Sequence, residues 1–147
     1  MESQNNDFFR LEQIFNRSLL TIPNIQLWSL YLDYIRRRNN LTTDTSGNAR
    51  QIISQAYDFA LQNIGIDKDS ARIWQDYVQF IRSGPGSIGG SSWQDQQKMD
   101  LLRKTYQRAI CAPTQAVNAL WKEYDAFEMG LNKMTVSAAH QTVLMIS

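Results

Sequence analysis

The sequence predicts an all-α fold, a solenoid of stacked antiparallel helix pairs with about two and a half repeats. Two recurring patterns favour this fold. An aliphatic residue followed by Trp-x-x-Tyr-x-x-aromatic occurs three times, and a second apolar pattern precedes each copy. No segment sustains the apolar–polar alternation of a half-buried strand, so no sheet is expected.

The first pattern places its tryptophans at positions 28, 74 and 121, so successive copies are 46 and 47 residues apart. On a helix, its four positions fall within a roughly 120° arc. Each copy is therefore interpreted as the buried stripe of an amphipathic helix, called helix A. The signature residues are Trp28, Tyr31, Tyr34, Trp74, Tyr77, Phe80, Trp121, Tyr124 and Phe127. Each tryptophan is expected to be a major buried anchor.

The second pattern has apolar or small residues at i, i+3, i+4, i+7 and i+8, which is helical spacing. Its third position is always aromatic, as Phe15, Tyr57 or Tyr106. Its fourth position is always small, which lets a neighbouring helix approach closely. We call this element helix B. One such helix pair cannot bury its apolar face alone, but stacked pairs bury each other's apolar faces.

The predicted order along the chain is B, A, B, A, B, A. Helix B is expected at 8–20, 48–64 and 93–111, and helix A at 25–38, 69–82 and 115–130. Together these form a repeat segment over 1–134, followed by a divergent tail at 135–147. Pro23 and Pro113 interrupt two of the connections, because proline cannot continue a helix. The glycine- and serine-rich connection at 83–92 is expected to be a flexible exposed loop.

Composition narrows the classes of function. Hydrophobic residues make up 43% of the chain and charged residues 20%, with a net charge of +1. This balance gives no overall attraction to nucleic acid, although a local basic patch is compatible with it. The chain shows no secretory signal and no apolar run near the ~20 residues of a membrane span. We therefore expect a soluble, intracellular chain.

No catalytic, cofactor or metal site is expected. Residues 84–89 match G-x-G-x-x-G, but a helix precedes them, whereas the dinucleotide motif needs a strand there. Cys111 and His140 are the only cysteine and the only histidine, too few for a zinc site of about four ligands. The acidic clusters are interpreted as helix caps or solvated faces. The sequence therefore predicts a protein that is not an enzyme.

One basic run remains a candidate contact site. Arg36, Arg37 and Arg38 end the first helix A. Cations at a helix C-terminus are favourable for the helix dipole alone. The alternatives are contact with a partner protein or with RNA phosphates, and the sequence leaves both open.

The two patterns together resemble the HAT (half-a-tetratricopeptide) repeat. In HAT repeats helix A carries Trp-x-x-Tyr-x-x-Phe/Glu, and helix B carries a Tyr/Phe-x-Arg-Ala-Leu-like segment. The middle helix B departs from this pattern, because Phe59 stands where arginine is usual. Segments 14–37 and 120–132 most resemble the large HAT subunit of cleavage stimulation factor, a family that includes suppressor of forked and the fungal Rna-fourteen protein. The likeness covers roughly 7–133.

This resemblance implies a scaffold of the nuclear pre-mRNA 3′-end cleavage and polyadenylation machinery that acts through protein–protein contacts. It implies protein subunits of that complex as partners, indirect RNA contact, and a nuclear location with some cytoplasmic presence. The resemblance also implies that full-length members homodimerise, through a region absent here. A HAT scaffold of the spliceosome or of ribosomal RNA processing is one alternative, and a non-functional truncated fragment is another. Because the terminal helices lack stacking partners, low stability or self-association is expected.

Overall fold

The computed structural model describes residues 2–21 and 24–146, with side chains over 8–21 and 24–134. Its helices are α1 (Glu2–Ser18), α2 (Ile25–Arg38), α3 (Asn48–Ile64), α4 (Ala71–Arg82), α5 (Trp93–Ile110) and α6 (Val117–Ile146). No strand occurs among the described residues. The predicted all-α repeat fold is confirmed.

The helix bounds differ from the sequence-based expectation mainly at two ends. Helix α1 begins at Glu2 rather than near residue 8. Helix α6 continues to Ile146, although helix A was expected to end at 130 and a separate tail to begin at 135. No glycine or proline follows Gly130. The segment therefore lacks the residues that usually stop a helix, so α6 continues past the end predicted for helix A.

The chain divides into two compact units, residues 1–66 and 67–147, called unit 1 and unit 2. Unit 1 contains α1 to α3, and α2 packs against α3. Trp28 is fully buried there, and Ile53, Tyr57 and Ala60 of α3 are also buried. These α3 residues follow the predicted helix B spacing, so the apolar pattern and the observed core coincide.

Unit 2 contains α4 to α6, and α5 packs against both of the other helices. The most enclosed side chains of its core are Tyr77, Leu102, Tyr106 and Leu120. Tyr77 belongs to a helix A stripe, and Leu102 and Tyr106 belong to a helix B stripe. Both periodic patterns of the sequence therefore contribute to this core.

Candidate functional site

Within each unit, the aromatic residue of one helix B packs against the helix A that follows it in the chain. In unit 1 the Phe15 ring lies 5.5 Å, centroid to centroid, from the rings of Tyr31 and Tyr34. In unit 2 the corresponding distances are both 5.8 Å and join Tyr106 to Tyr124 and Phe127. Tilted or edge-to-face pairs at these separations are favourable. The repeated aromatic positions thus build the same B-to-A contact in both units.

The tryptophan of helix A contacts the next helix B, at the residue two positions after the helix B aromatic. Trp28 meets Phe59 edge-to-face, with 5.2 Å between centroids. At the same place in unit 2, the Arg108 guanidinium lies 5.3 Å from the Trp74 ring centre. An aromatic edge and a cation are both attracted to the face of an indole ring. This explains why Phe59 can replace the usual arginine.

A third contact involves the arginine eight residues after the tryptophan. Arg36 Nη1 donates to the Tyr57 hydroxyl at 3.2 Å. Arg82 donates to the Tyr106 hydroxyl from Nε at 3.1 Å and from Nη2 at 2.7 Å. Burial raises the pKa of Tyr106, and the Arg82 contacts act in the opposite direction. These pairs were not identified from the sequence, although the constant Trp-to-Arg spacing was visible there.

The three consecutive arginines of α2 do not form one free basic patch. Arg36 bonds to Tyr57. Arg38 lies 4.5 Å above the Phe8 ring, and its Nε is 3.5 Å from a Glu12 carboxylate oxygen. Arg37 is exposed and its side chain makes no hydrogen bond or ion pair with the described residues. Of the three, Arg37 is therefore the one that contacts within the described fold do not engage.

Not every repeat-signature residue is equally buried. Trp28 and Trp74 are 0% and 3% exposed, but Trp121 is 54% exposed. The expectation that every signature tryptophan is a buried anchor is therefore wrong for Trp121. The physical reason is that no helix B among the described residues covers its ring. Tyr31 and Tyr124 are half-buried, and the signature residues on α4 are all buried.

A surface pocket of about 260 Å³ lies in unit 2 between the 83–92 segment and α6. Its lining is mostly apolar and consists of Arg82, Ile88, Ala126, Phe127, Gly130, Leu131 and Met134. Within the described part of the chain, no group of three or more His, Cys, Asp or Glu residues could hold a metal ion. Nor is any helix there long and apolar enough to cross a membrane. The His140 side chain lies outside the described ones.

The connection at 83–92 was expected to be flexible, but the structure ties it to α5. Lys98 Nζ donates to the carbonyl oxygens of Arg82, Gly84 and Gly86 at 2.6, 2.9 and 3.1 Å. Asp95 accepts hydrogen bonds from the Ser87 and Ser92 backbone N–H groups at 2.5 and 3.1 Å. Gly86 has φ +95°, and a Cβ there would lie 2.9 Å from the Gln94 carbonyl oxygen. Glycine is therefore required at this position.

Replacing Asp95 with asparagine should lower the melting temperature by a few degrees at neutral pH. It should also make the melting temperature less sensitive to acidic pH. Hydrogen bonds from the Ser87 backbone and from Ser92 lower the pKa of Asp95. A carboxyl group whose pKa is lower in the folded state stabilises the fold at pH values above its unfolded-state pKa of about 3.9. That contribution disappears as the pH falls through the lower folded-state value.

Thermal melts followed by circular dichroism from neutral pH to pH 3 would check this expectation. The difference between wild type and Asp95→Asn should be largest near neutrality and should shrink below about pH 4. Asp33→Asn, on the exposed face of α2, is the matched control and should follow the wild type. A difference that stays constant down to pH 3 would contradict the assigned role of the carboxylate.

These contacts define a class of protein, a helical-repeat protein of the HAT type. The chain also matches the family model described as suppressor of forked protein over residues 1–142. It belongs to that family, which confirms the predicted resemblance.

Three fungal relatives show how much of the longer proteins this chain covers. The mRNA 3′-end-processing protein rna14 of Aspergillus fumigatus is 76% identical over 135 residues, which are 92% of this chain and 13% of the relative. The rna-14 protein of Neurospora crassa is 63% identical, over 92% of this chain and 12% of the relative. The rna14 protein of Schizosaccharomyces pombe is 45% identical, over 88% of this chain and 17% of the relative. The chain thus spans a small part of each.

Proposed function

We propose that this chain is a segment of a scaffold for the nuclear machinery that cleaves and polyadenylates pre-mRNA 3′ ends. The observation that carries the proposal is the function named for its relatives. All three are mRNA 3′-end-processing proteins and are 45–76% identical to this chain over most of its length. Identity of this extent supports a shared role for the segment. The machinery acts on pre-mRNA, so we place the protein in the nucleus.

In the proposed mechanism the segment binds other proteins and catalyses no reaction. The signature aromatics and the arginines that meet them are used to hold one helix to the next, as in the Arg82–Tyr106 and Trp74–Arg108 contacts. A stack of helix pairs held in this way gives an extended surface on which other subunits can be positioned. The partners we propose are protein subunits of the same machinery, with RNA held by those subunits rather than by this chain.

We propose that Arg37 contributes to partner binding, because it is the exposed arginine of the 36–38 run that the fold does not use. A positive charge at the edge of an interface mainly raises the rate at which an acidic partner associates. It contributes little to the stability of the fold. The matched control is Arg72 on α4. Its side chain is 91% exposed and pairs only weakly with Asp76, at 3.9 Å.

Affinity purification of the tagged chain from fungal extract would test the proposed function. We expect mass spectrometry to find cleavage and polyadenylation factors, and Arg37→Glu to reduce their recovery severalfold while Arg72→Glu does not. Recovery of splicing or ribosomal RNA processing factors without cleavage factors would overturn the proposed pathway. Equal loss with both arginine variants would overturn the specific role of Arg37.

A further inference from the structure

One of the four tryptophans, Trp93, belongs to neither repeated pattern and lies at the surface. It is the first residue of α5 and is 72% exposed, the largest exposed fraction among the tryptophans. Helix α5 packs against both α4 and α6. Trp93 is therefore exposed on a helix that already has a described neighbour on each side.

The turn that carries Trp93 has no counterpart in unit 1. Helix α5 begins 13 residues before its buried tyrosine, Tyr106, whereas α3 begins only 9 residues before Tyr57, at Asn48. The difference is about one helical turn. Met99 is the first buried residue of α5, so the extra turn precedes the packed part of the helix. The Trp93 ring therefore projects from the repeat and adds little to its core.

The corresponding connection of unit 1 is ordered without an aromatic ring. Residues 39–47 contain no aromatic residue. Asp44 stands 13 residues before Tyr57, where Trp93 stands relative to Tyr106, and accepts hydrogen bonds from the Gly47 and Arg50 backbone N–H groups at 3.0 and 3.1 Å. An aromatic residue is thus not needed to start a helix B. The Trp93 ring is available for contact with another molecule.

The backbone that presents Trp93 is held in place on both sides. The Ser92 hydroxyl accepts from the Asp95 N–H at 3.1 Å, and the Asp95 carboxylate accepts from the Ser92 N–H at 3.1 Å. Lys98 donates to three carbonyl oxygens of residues 82–86. A group on backbone that is already ordered loses less conformational freedom when a partner binds. Trp93 is therefore pre-organised for binding.

The surface around Trp93 is almost free of charge. Between residues 83 and 97 the only charged side chain is Asp95, and its two oxygens accept hydrogen bonds from the Ser87 and Ser92 backbone. Gln97, exposed and four residues after Trp93, shares its helical face. RNA binding depends on cations that meet phosphates, and a charged protein surface is attracted by opposite charge. This surface fits neither, so its chemistry favours an uncharged, apolar protein partner.

We propose that Trp93 is the anchor of a protein-docking surface, and that its occupant is an uncharged apolar pocket on a subunit of the 3′-end-processing machinery. This inference rests on the proposed function. A projecting indole ring is complementary to a concave pocket, and an enclosed tryptophan is among the side chains that dominate interface energies. The Gln97 amide lies at the rim, where it can both donate and accept hydrogen bonds.

The test adds variants of Trp93 to the affinity purification of the tagged chain from fungal extract. Trp93→Ala should reduce the recovery of at least one cleavage or polyadenylation factor about tenfold, because it removes the anchor. Trp93→Phe keeps a ring and should reduce recovery less. Ile66→Ala is the matched control, because Ile66 is 80% exposed and lies in unit 1. Since all three variants change exposed surface, their thermal melts should follow the wild type.

Salt distinguishes this contact from the charged one proposed for Arg37. The loss caused by Trp93→Ala should be the same at about 0.1 M and about 1 M salt. The loss caused by Arg37→Glu should shrink, because the screening length falls from ~10 Å to ~3 Å over that range. A photoreactive benzoylphenylalanine at position 93 should crosslink to a peptide of the subunit that Trp93→Ala loses, and should do so after nuclease treatment.

The outcomes separate this inference from the proposed function. If the wild type recovers cleavage factors and Trp93→Ala recovers them equally well, the anchor is refuted and the proposed function stands. A crosslink to RNA, or a loss that nuclease or high salt abolishes, would replace the apolar protein partner with a nucleic acid or a charged surface. Equal losses with Ile66→Ala would remove the specific role of Trp93. A wild-type chain that recovers no cleavage factors would refute the proposed function and this inference together.

Discussion

Trp28→Ala should lower the free energy of unfolding by ~3–5 kcal/mol, the usual cost of truncating a buried tryptophan. Trp28 has no exposed surface. Its ring meets Phe59 and Tyr31 edge-to-face, at centroid distances of 5.2 and 6.0 Å. Its Nε1 is buried without a hydrogen-bond partner. The stabilisation therefore comes from apolar area and ring packing, and alanine would leave a cavity between α2 and α3.

Urea unfolding followed by circular dichroism would measure this loss. Trp74→Ala, at 3% exposure, should behave similarly, whereas the half-exposed Trp121 provides the contrast within the same signature. Trp121→Ala should cost no more than about 1 kcal/mol at a concentration where the chain is monomeric, because little surface is removed from the core. Equal losses at Trp28 and Trp121 would contradict the different roles assigned to them.

The period of the apolar residues was enough to predict the helices and most of the core. Tryptophans at nearly constant spacing and helical i, i+3, i+4 patterns depend only on local chain geometry. Phe15, Tyr57 and Tyr106 were identified in this way, and all three are buried. What a periodic pattern cannot show is whether a partner helix is present. Trp121 carries the same signature as Trp28, but no helix B among the described residues covers its ring.

Most contacts between polar side chains and the backbone also could not be predicted from the sequence. The composition of the 83–92 segment predicts flexibility, because glycine and serine place few limits on the backbone. One lysine and one aspartate, Lys98 and Asp95, override that tendency with five hydrogen bonds to the segment and its flanks. Asp95 is also the last residue of the Ser92-x-x-Asp95 capping box, a helix-start signal that the sequence shows. No pattern in the sequence predicts its bond from Ser87 or the three bonds from Lys98.

The sequence predicted the candidate contact site at residues 36–38 only in part, for a similar reason. Arg36, Arg37 and Arg38 are identical in type and adjacent in sequence, so composition treats them alike. A helix turns about 100° per residue, which sends consecutive side chains to different faces. Arg36 therefore meets Tyr57, and Arg38 meets Glu12 and Phe8. Only the placement of these neighbours shows that Arg37 is the one whose side chain makes no hydrogen bond or ion pair with the described residues.

Tyr106→Phe should destabilise unit 2 by about 1.5–3 kcal/mol, the range for hydrogen bonds that involve a charged group. Tyr106 is fully buried. Its hydroxyl accepts two hydrogen bonds from Arg82 and donates one to Glu123 at 3.4 Å. Phenylalanine keeps the ring contacts with Tyr124 and Phe127 and removes only the oxygen. The loss would therefore report the polar contacts alone.

A double-mutant cycle with Arg82→Met would assign that loss to the pair, since methionine keeps an apolar stem. We expect a coupling energy of about 1 kcal/mol or more, because residues in direct contact do not add independently. Tyr57→Phe removes the 3.2 Å bond that Arg36 donates and is the corresponding variant in unit 1. Additive losses at Arg82 and Tyr106 would mean that the arginine is held by its stem, and that the repeated Trp-to-Arg spacing serves packing rather than hydrogen bonding.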